Sequence, residues 1–171
     1  FINKNSKTNA GGVGLYIKDT LNFIRRTELD LITDGLETYF IELPRRKQKN
    51  IIVGCGYRHQ HNDRENVNEI LRNKLEYISC HGFETYILGD INIDFFEYNN
   101  DKATSEYLDM LFDHGFTPSI TKPTRHHSAT LIGHIYSNSI QKVIKSGICL
   151  ADISDHLPCF CTIATKLYYP T

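Results

Sequence analysis

The chain has no tryptophan, a single methionine and no apolar run of the length that a membrane span needs. Its opening residues, FINKNSKTNA, hold no signal-peptide core. Together these absences exclude a transmembrane helix and lead us to expect a soluble intracellular protein, nuclear or cytoplasmic. An excess of charge is missing as well: 19 Lys and Arg stand against 20 Asp and Glu, for a net charge of -1. No overall basic field advertises a polyanionic partner, so any nucleic-acid surface must be local. The five cysteines, Cys55, Cys80, Cys149, Cys159 and Cys161, are odd in number and show no CxxC spacing, which speaks against a structural zinc site. Most sit in apolar, strand-like runs and read as buried free thiols of a reducing compartment. What the chain does have is ten Tyr and nine Phe within a 40% hydrophobic composition. Over 171 residues that is enough to fill the core of one domain, residues 1–171.

Hydrophobic periodicity divides the chain into strands and two helices. GGVGLYI (Gly11 to Ile17), TYFIEL (Thr38 to Leu43) and NIIVGCGYR (Asn50 to Arg58) read as strands bounded by glycine, proline and charge clusters. Between the last two, PRRKQKN reads as a hairpin turn. Its Arg45, Arg46, Lys47 and Lys49 fit solvated positions better than phosphate contacts. Val67, Ile70, Leu71, Leu75 and Ile78 share one side of a helix, opened by a capping box from Asn62 to Glu65. A second helix carries Ala103, Tyr107, Leu108, Leu111 and Phe112 and stops at Gly115. Strands follow around residues 129 to 137, 141 to 149 and 158 to 164. Strands interleaved with helices indicate an α/β layered fold rather than an all-β sandwich.

Chemistry enters at the strand ends. In ETYILGDIN a short apolar run breaks at Gly89 and then offers Asp90 and Asn92, which an extended chain places on one face. Ligands usually meet the sheet at such ends in α/β folds, although Gly-Asp with a nearby Asn is also ordinary turn chemistry. ADISDHLPCF sets Asp155 and His156 in a short loop before an alternating strand. CGYRHQHN sets Tyr57 and Arg58 where the third strand runs out.

GDIN (Gly89 to Asn92), SDH (Ser154 to His156), Tyr57-Arg58 and PTR...SATLI (Pro123 to Ile132), in this order and spacing, resemble the endonuclease/exonuclease/phosphatase superfamily. GGVGLYIKD and SATLIGHIYSN bring the chain closest to the apurinic-type endonuclease domain of non-LTR retrotransposons. The resemblance runs from about Gly11 to Ile163. It implies a DNase I-like α/β (α+β) fold, a layered sandwich of two mostly antiparallel β-sheets flanked by helices, incomplete at the N-terminus. It implies phosphodiester hydrolysis assisted by Mg²⁺ or Mn²⁺, an ion that polarises phosphate and steadies the leaving oxygen while needing few protein ligands. By the same resemblance Asp155 is a metal ligand, Asp90 orients or deprotonates the water, and Asn92 holds that water or a phosphate oxygen. His156 donates to the phosphorane, and Tyr57 bonds a phosphate or the leaving group. Arg58, Thr124, Arg125 and Asn138 would contact the nucleic acid. The implied partners are DNA and, in a longer polyprotein, a reverse transcriptase; no membrane is implied.

Two departures from the family pattern stand out. Gly133 occupies the place of an aspartate that would orient the catalytic histidine, and His134, next along the strand, should face the other way. The family's first strands, with an asparagine and a metal-binding glutamate, have no counterpart; Glu37 and Glu42 lie in a strand that the resemblance aligns with a non-catalytic one. Three readings follow: an endonuclease weakened at Gly133 and truncated, a catalytically silent nucleic-acid- or protein-binding module on the same fold, or another phosphoesterase acting on inositol phosphates or sphingolipids.

Overall fold

A computed structural model describes residues 2–4, 12–33, 35–60, 64–151 and 153–165. The Asn62–Glu65 capping box falls outside what is described: Asn62 lies beyond these residues, and nothing is described of the Glu65 side chain. Among the described residues, ten strands and two α-helices follow in chain order: β1 (Ile2–Lys4), β2 (Val13–Leu15), β3 (Ile24–Arg25), β4 (Leu36–Leu43), β5 (Ile51–Arg58), α1 (Arg64–His81), β6 (Glu84–Asp90), α2 (Lys102–Asp113), β7 (Thr117–Pro118), β8 (Gly133–Ser137), β9 (Val143–Ile148) and β10 (Cys159–Ile163).

Six strands form one sheet in the order β3-β4-β5-β6-β8-β7, while β9 with β10 and β1 with β2 form two-stranded sheets. Every pairing is antiparallel except β5 with β6. That parallel pair requires a crossover, and α1 supplies it. Strand alternation then sorts the side chains. Phe40, Ile52, Ile87 and Tyr136 face α1 and α2, and pack with Val67, Leu71, Leu75, Ile78, Tyr107 and Leu111 into the main core. Leu88 and Ile135 face the other way, against Ile148, Cys159 and Cys161 of the β9–β10 sheet. The result is a layered α/β sandwich with helices on one face and a small second sheet on the other.

The α2 boundaries follow from local chemistry. Asp101 caps its start by accepting from the Thr104 N–H. At its end Gly115 adopts φ 76°, with the Gly115 N–H donating to Phe112 O and the Phe116 N–H to Leu111 O, the paired hydrogen bonds of a Schellman cap. The β4–β5 turn departs from the sequence expectation. Arg45 is buried there, not solvated, and binds Glu84, which Lys142 also engages. The cause is the neighbouring carboxylate: Glu84 opens β6 inside the fold and needs cations to offset its burial.

Candidate active site

The site lies where β5 and β6 end together. Registered pairing aligns Glu37, Tyr57, Asp90 and Gly133 across β4, β5, β6 and β8. Their side-chain directions share the face that looks toward β9–β10, because directly paired residues point the same way. Gly89 makes the ending possible: its φ is 150°, and a Cβ there would overlap the Gly56 carbonyl and lie 2.8 Å from its carbon.

Asp90 and Asn92 meet through a turn rather than through strand alternation. The strand stops at Asp90, Asn92 takes φ 51°, and its N–H donates to Asp90 Oδ1 at 3.1 Å. The Asn92 side chain is engaged within the protein, donating to Arg58 O at 2.7 Å and accepting from Gln60 at 3.0 Å. It therefore holds the turn, where the resemblance would have it hold water or phosphate. Burial pushes the Asp90 carboxyl above its ordinary range, against the opposing pull of the Asn92 N–H, His156, Arg125 and Arg58.

The loop before β10 brings His156 to the same place. His156 Nε2 stands 3.8 Å from Asp90 Oδ2 and 4.0 Å from Asp155 Oδ2. The loop is held by a bridge pairing Arg125 with His156 and by Leu157 N donating to Thr124 O at 2.8 Å. Arg125 grips Asp155 Oδ2 through Nε at 2.9 Å and Nη2 at 2.5 Å, which holds the Asp155 carboxyl below its usual value. Beside it opens a cavity of about 430 Å³ lined by His126, His127, Leu150, Ser154, Asp155 and Leu157.

Three residues expected at the nucleic acid are placed elsewhere. Arg58 is 1% exposed and clamps the turn after β6, donating from Nε to Ile91 O at 2.6 Å and from Nη2 to Asn92 O at 2.8 Å. Thr124, also 1% exposed, accepts through Oγ1 from the N–H groups of Gly133 at 2.8 Å and Ile132 at 3.2 Å. Asn138 locks the opposite end of the sheet, accepting from Thr85 N and donating to Phe83 O. The resemblance implied contact with nucleic acid, but each of these side chains satisfies backbone groups that the fold would otherwise bury unpaired. Conversely, Glu37, His59 and Gln60 border the site without any local sequence signal; only the strand register could have found them.

At Gly133 a Cβ would sit 3.2 Å from Thr124 Oγ1, on the face of Asp90. His134 takes the other face. It is 3% exposed, packs its ring 3.6 Å from that of Phe95 and donates from Nε2 to Leu131 O at 2.9 Å. Burial lowers its pKa to about 4, from an ordinary 6.5. The neutral ring is the folded form, so stability is complete above pH 6.5 and is lost as pH falls toward 4. The gap between those two values corresponds to a loss of about 3 kcal/mol once the pH lies below both. Urea unfolding at pH 7 and pH 4.5 should show most of that loss in the wild type and a flatter dependence in His134→Phe.

A divalent ion needs a cluster of oxygen ligands. Among the described residues no three His, Cys, Asp or Glu side chains group as one, and Asp155 is already paired with Arg125. The described residues present no ready-made cluster of ligands for Mg²⁺ or Mn²⁺. No described helix is long and apolar enough to cross a membrane.

In fold, a large sheet with helices on one face and a small second sheet on the other, the chain is similar to solved endonuclease/exonuclease/phosphatase proteins of the DNase I-like architecture. Among solved structures, the endonuclease domain of TRAS1, a telomere-specific non-LTR retrotransposon, superposes with a TM-score of 0.65 at 13% identity, covering 84% of this chain and 67% of that domain. An AP endonuclease from Archaeoglobus fulgidus gives 0.52 at 13% identity over 74% of this chain and 65% of its own. An endonuclease/exonuclease/phosphatase from Beutenbergia cavernae gives 0.54 at 12% identity over 74% of this chain and 38% of its own. The chain thus spans two-thirds or less of the length of these relatives. No family model and no curated protein matches it in sequence.

Proposed function

We propose that this chain is a phosphodiester-cleaving domain directed at DNA, an endonuclease of the kind carried by non-LTR retrotransposons, working within a longer polyprotein beside a reverse transcriptase. The observation that supports this reading is the meeting of Asp90 with Asp155 and His156, from segments far apart in sequence, within 4.0 Å of one imidazole nitrogen. Asp90, with its carboxyl made more basic by burial, accepts a proton from the attacking water. His156 donates to the phosphate oxygens as charge builds on them, and Tyr57 adds a second donor. Arg125 lies beside the phosphate as a positioning cation. Mg²⁺ or Mn²⁺ dependence belongs to the same reading, but no step is assigned to an ion for which these side chains form no ready site.

A second reading, binding without cleavage, is favoured by Gly133, which offers no acceptor to orient His156, and by the Arg125–Asp155 pair. Nicking of supercoiled plasmid, with and without Mg²⁺ or Mn²⁺, decides between them. Cleavage that falls by about 10²-fold or more in His156→Ala supports the enzymatic reading; equal nicking by both proteins removes it. Gly133→Asp adds a carboxylate on the Asp90 face and is expected to raise nicking by about 10-fold, the scale on which a histidine's orienting partner acts.

A further inference from the structure

Glu37 is 3% exposed, and its Oε2 is buried without a hydrogen-bond partner. Its Oε1 lies 3.4 Å from His59 Nε2. The His59 ring stands edge-on to Tyr57, with centroids 4.9 Å apart and planes at 76°. Tyr57 is the registered neighbour of both Glu37 and Asp90, so all three occupy one row at one end of the sheet. A buried carboxylate with an unsatisfied oxygen costs stability; packing and folding give no reason for it. Its one ring partner leads, through His59, to a side chain of the candidate site.

We infer that Glu37 and His59 are positioning residues of this site: the Glu37 carboxylate fixes the His59 ring, and that ring braces Tyr57 beside Asp90 to receive a phosphate. The inference rests on the phosphodiesterase reading above and extends it to Glu37, two strand spacings or roughly 10 Å from Asp90, and to His59, which follows the strand between them. The logic is that of an imidazole held by a carboxylate so that one orientation persists. Edge-to-face ring packing transmits that orientation to the phenol.

The test combines a cycle of variants with a readout that needs no turnover. Plasmid nicking is measured for wild type, Glu37→Ala, Glu37→Gln and His59→Ala, and for each change in a Tyr57→Phe background; His156→Ala runs alongside. Glu37→Ala and His59→Ala are each expected to lower kcat by about 10- to 100-fold. Glu37→Gln, which keeps the accepting oxygen, recovers most of that loss and melts no lower than wild type. In the Tyr57→Phe background neither alanine change lowers the rate further, because the hydroxyl through which they act is gone. Additive losses there, or a Glu37→Ala rate equal to wild type, overturn the inference. The second readout is the ¹³C-resolved Tyr57 ring signal in the ligand-free protein. It shifts or broadens in Glu37→Ala and returns in Glu37→Gln; an unmoved Tyr57 signal in a folded Glu37→Ala protein refutes the brace. Loss of the functional reading itself is recognised separately, by His156→Ala nicking as well as wild type, and the ring signal still decides whether Glu37 orders Tyr57.

Discussion

Gly89→Ala is expected to disable both the sheet and the site, with a loss of stability above about 4 kcal/mol, the range reserved for disruptive changes. The β5 and β6 strands approach closely at Gly56 and Gly89, where the Gly89 φ of 150° suits only glycine. A methyl group would overlap the Gly56 carbonyl and come within 2.9 Å of its nitrogen. Both obstacles are backbone, so no side-chain rotation relieves them. The strands must part at the pair that precedes Tyr57 and Asp90. Urea denaturation should show a much lower midpoint or no cooperative transition. Any folded fraction should nick DNA far less than its folded population predicts, since Asp90 begins at the disrupted bond. Gly115→Ala is the control: its methyl group meets nothing within 4 Å, and the cost is confined to about 1 kcal/mol of left-handed backbone.

Removal of the Arg58 side chain is the second large effect, a destabilisation of about 3–5 kcal/mol for Arg58→Ala. The guanidinium satisfies the carbonyls of Ile91 and Asn92, and its truncation leaves both buried acceptors without donors while opening a cavity. Lysine cannot replace it, because a single ammonium does not reproduce the planar fork that reaches two carbonyls at once. Arg58→Lys should therefore recover part of the stability and little of the activity. The comparison is read from chemical denaturation alongside plasmid nicking. A variant that stayed as stable as wild type would show that the turn after β6 holds itself.

The sequence pattern announced the strand carrying Asp90 because an apolar run meets a glycine and a carboxylate there. It announced the second helix through its 3.6-residue periodicity and Gly115. The meeting of Asp90 with His156 came from the motif resemblance alone, since no local rule brings residues 90 and 156 together. The resemblance set Arg58, Thr124 and Asn138 at the nucleic acid, whereas these three spend their polarity on backbone atoms of the protein itself. The charge cluster of the β4–β5 turn suggested a solvated Arg45, whereas Glu84 draws it inside. Glu37 and His59 had no signal because their proximity to Asp90 depends on the β4–β5 register, which fixes which residues of the hairpin reach the same end as β6. The direction of β8 explains Asn138: it runs antiparallel to β6, so its beginning, not its end, lies at the cleft.

The ion cluster of buried Arg45 and Glu84 with the half-exposed Lys142 has a consequence that follows from distance. Glu84 begins the strand that Asp90 finishes, and six residue steps along an extended strand separate them by roughly 20 Å. Over that span a charge rearranged at one pole acts only weakly on the other. The molecule thus keeps its structural ions and its reactive ones in separate compartments, each open to change without disturbing its counterpart.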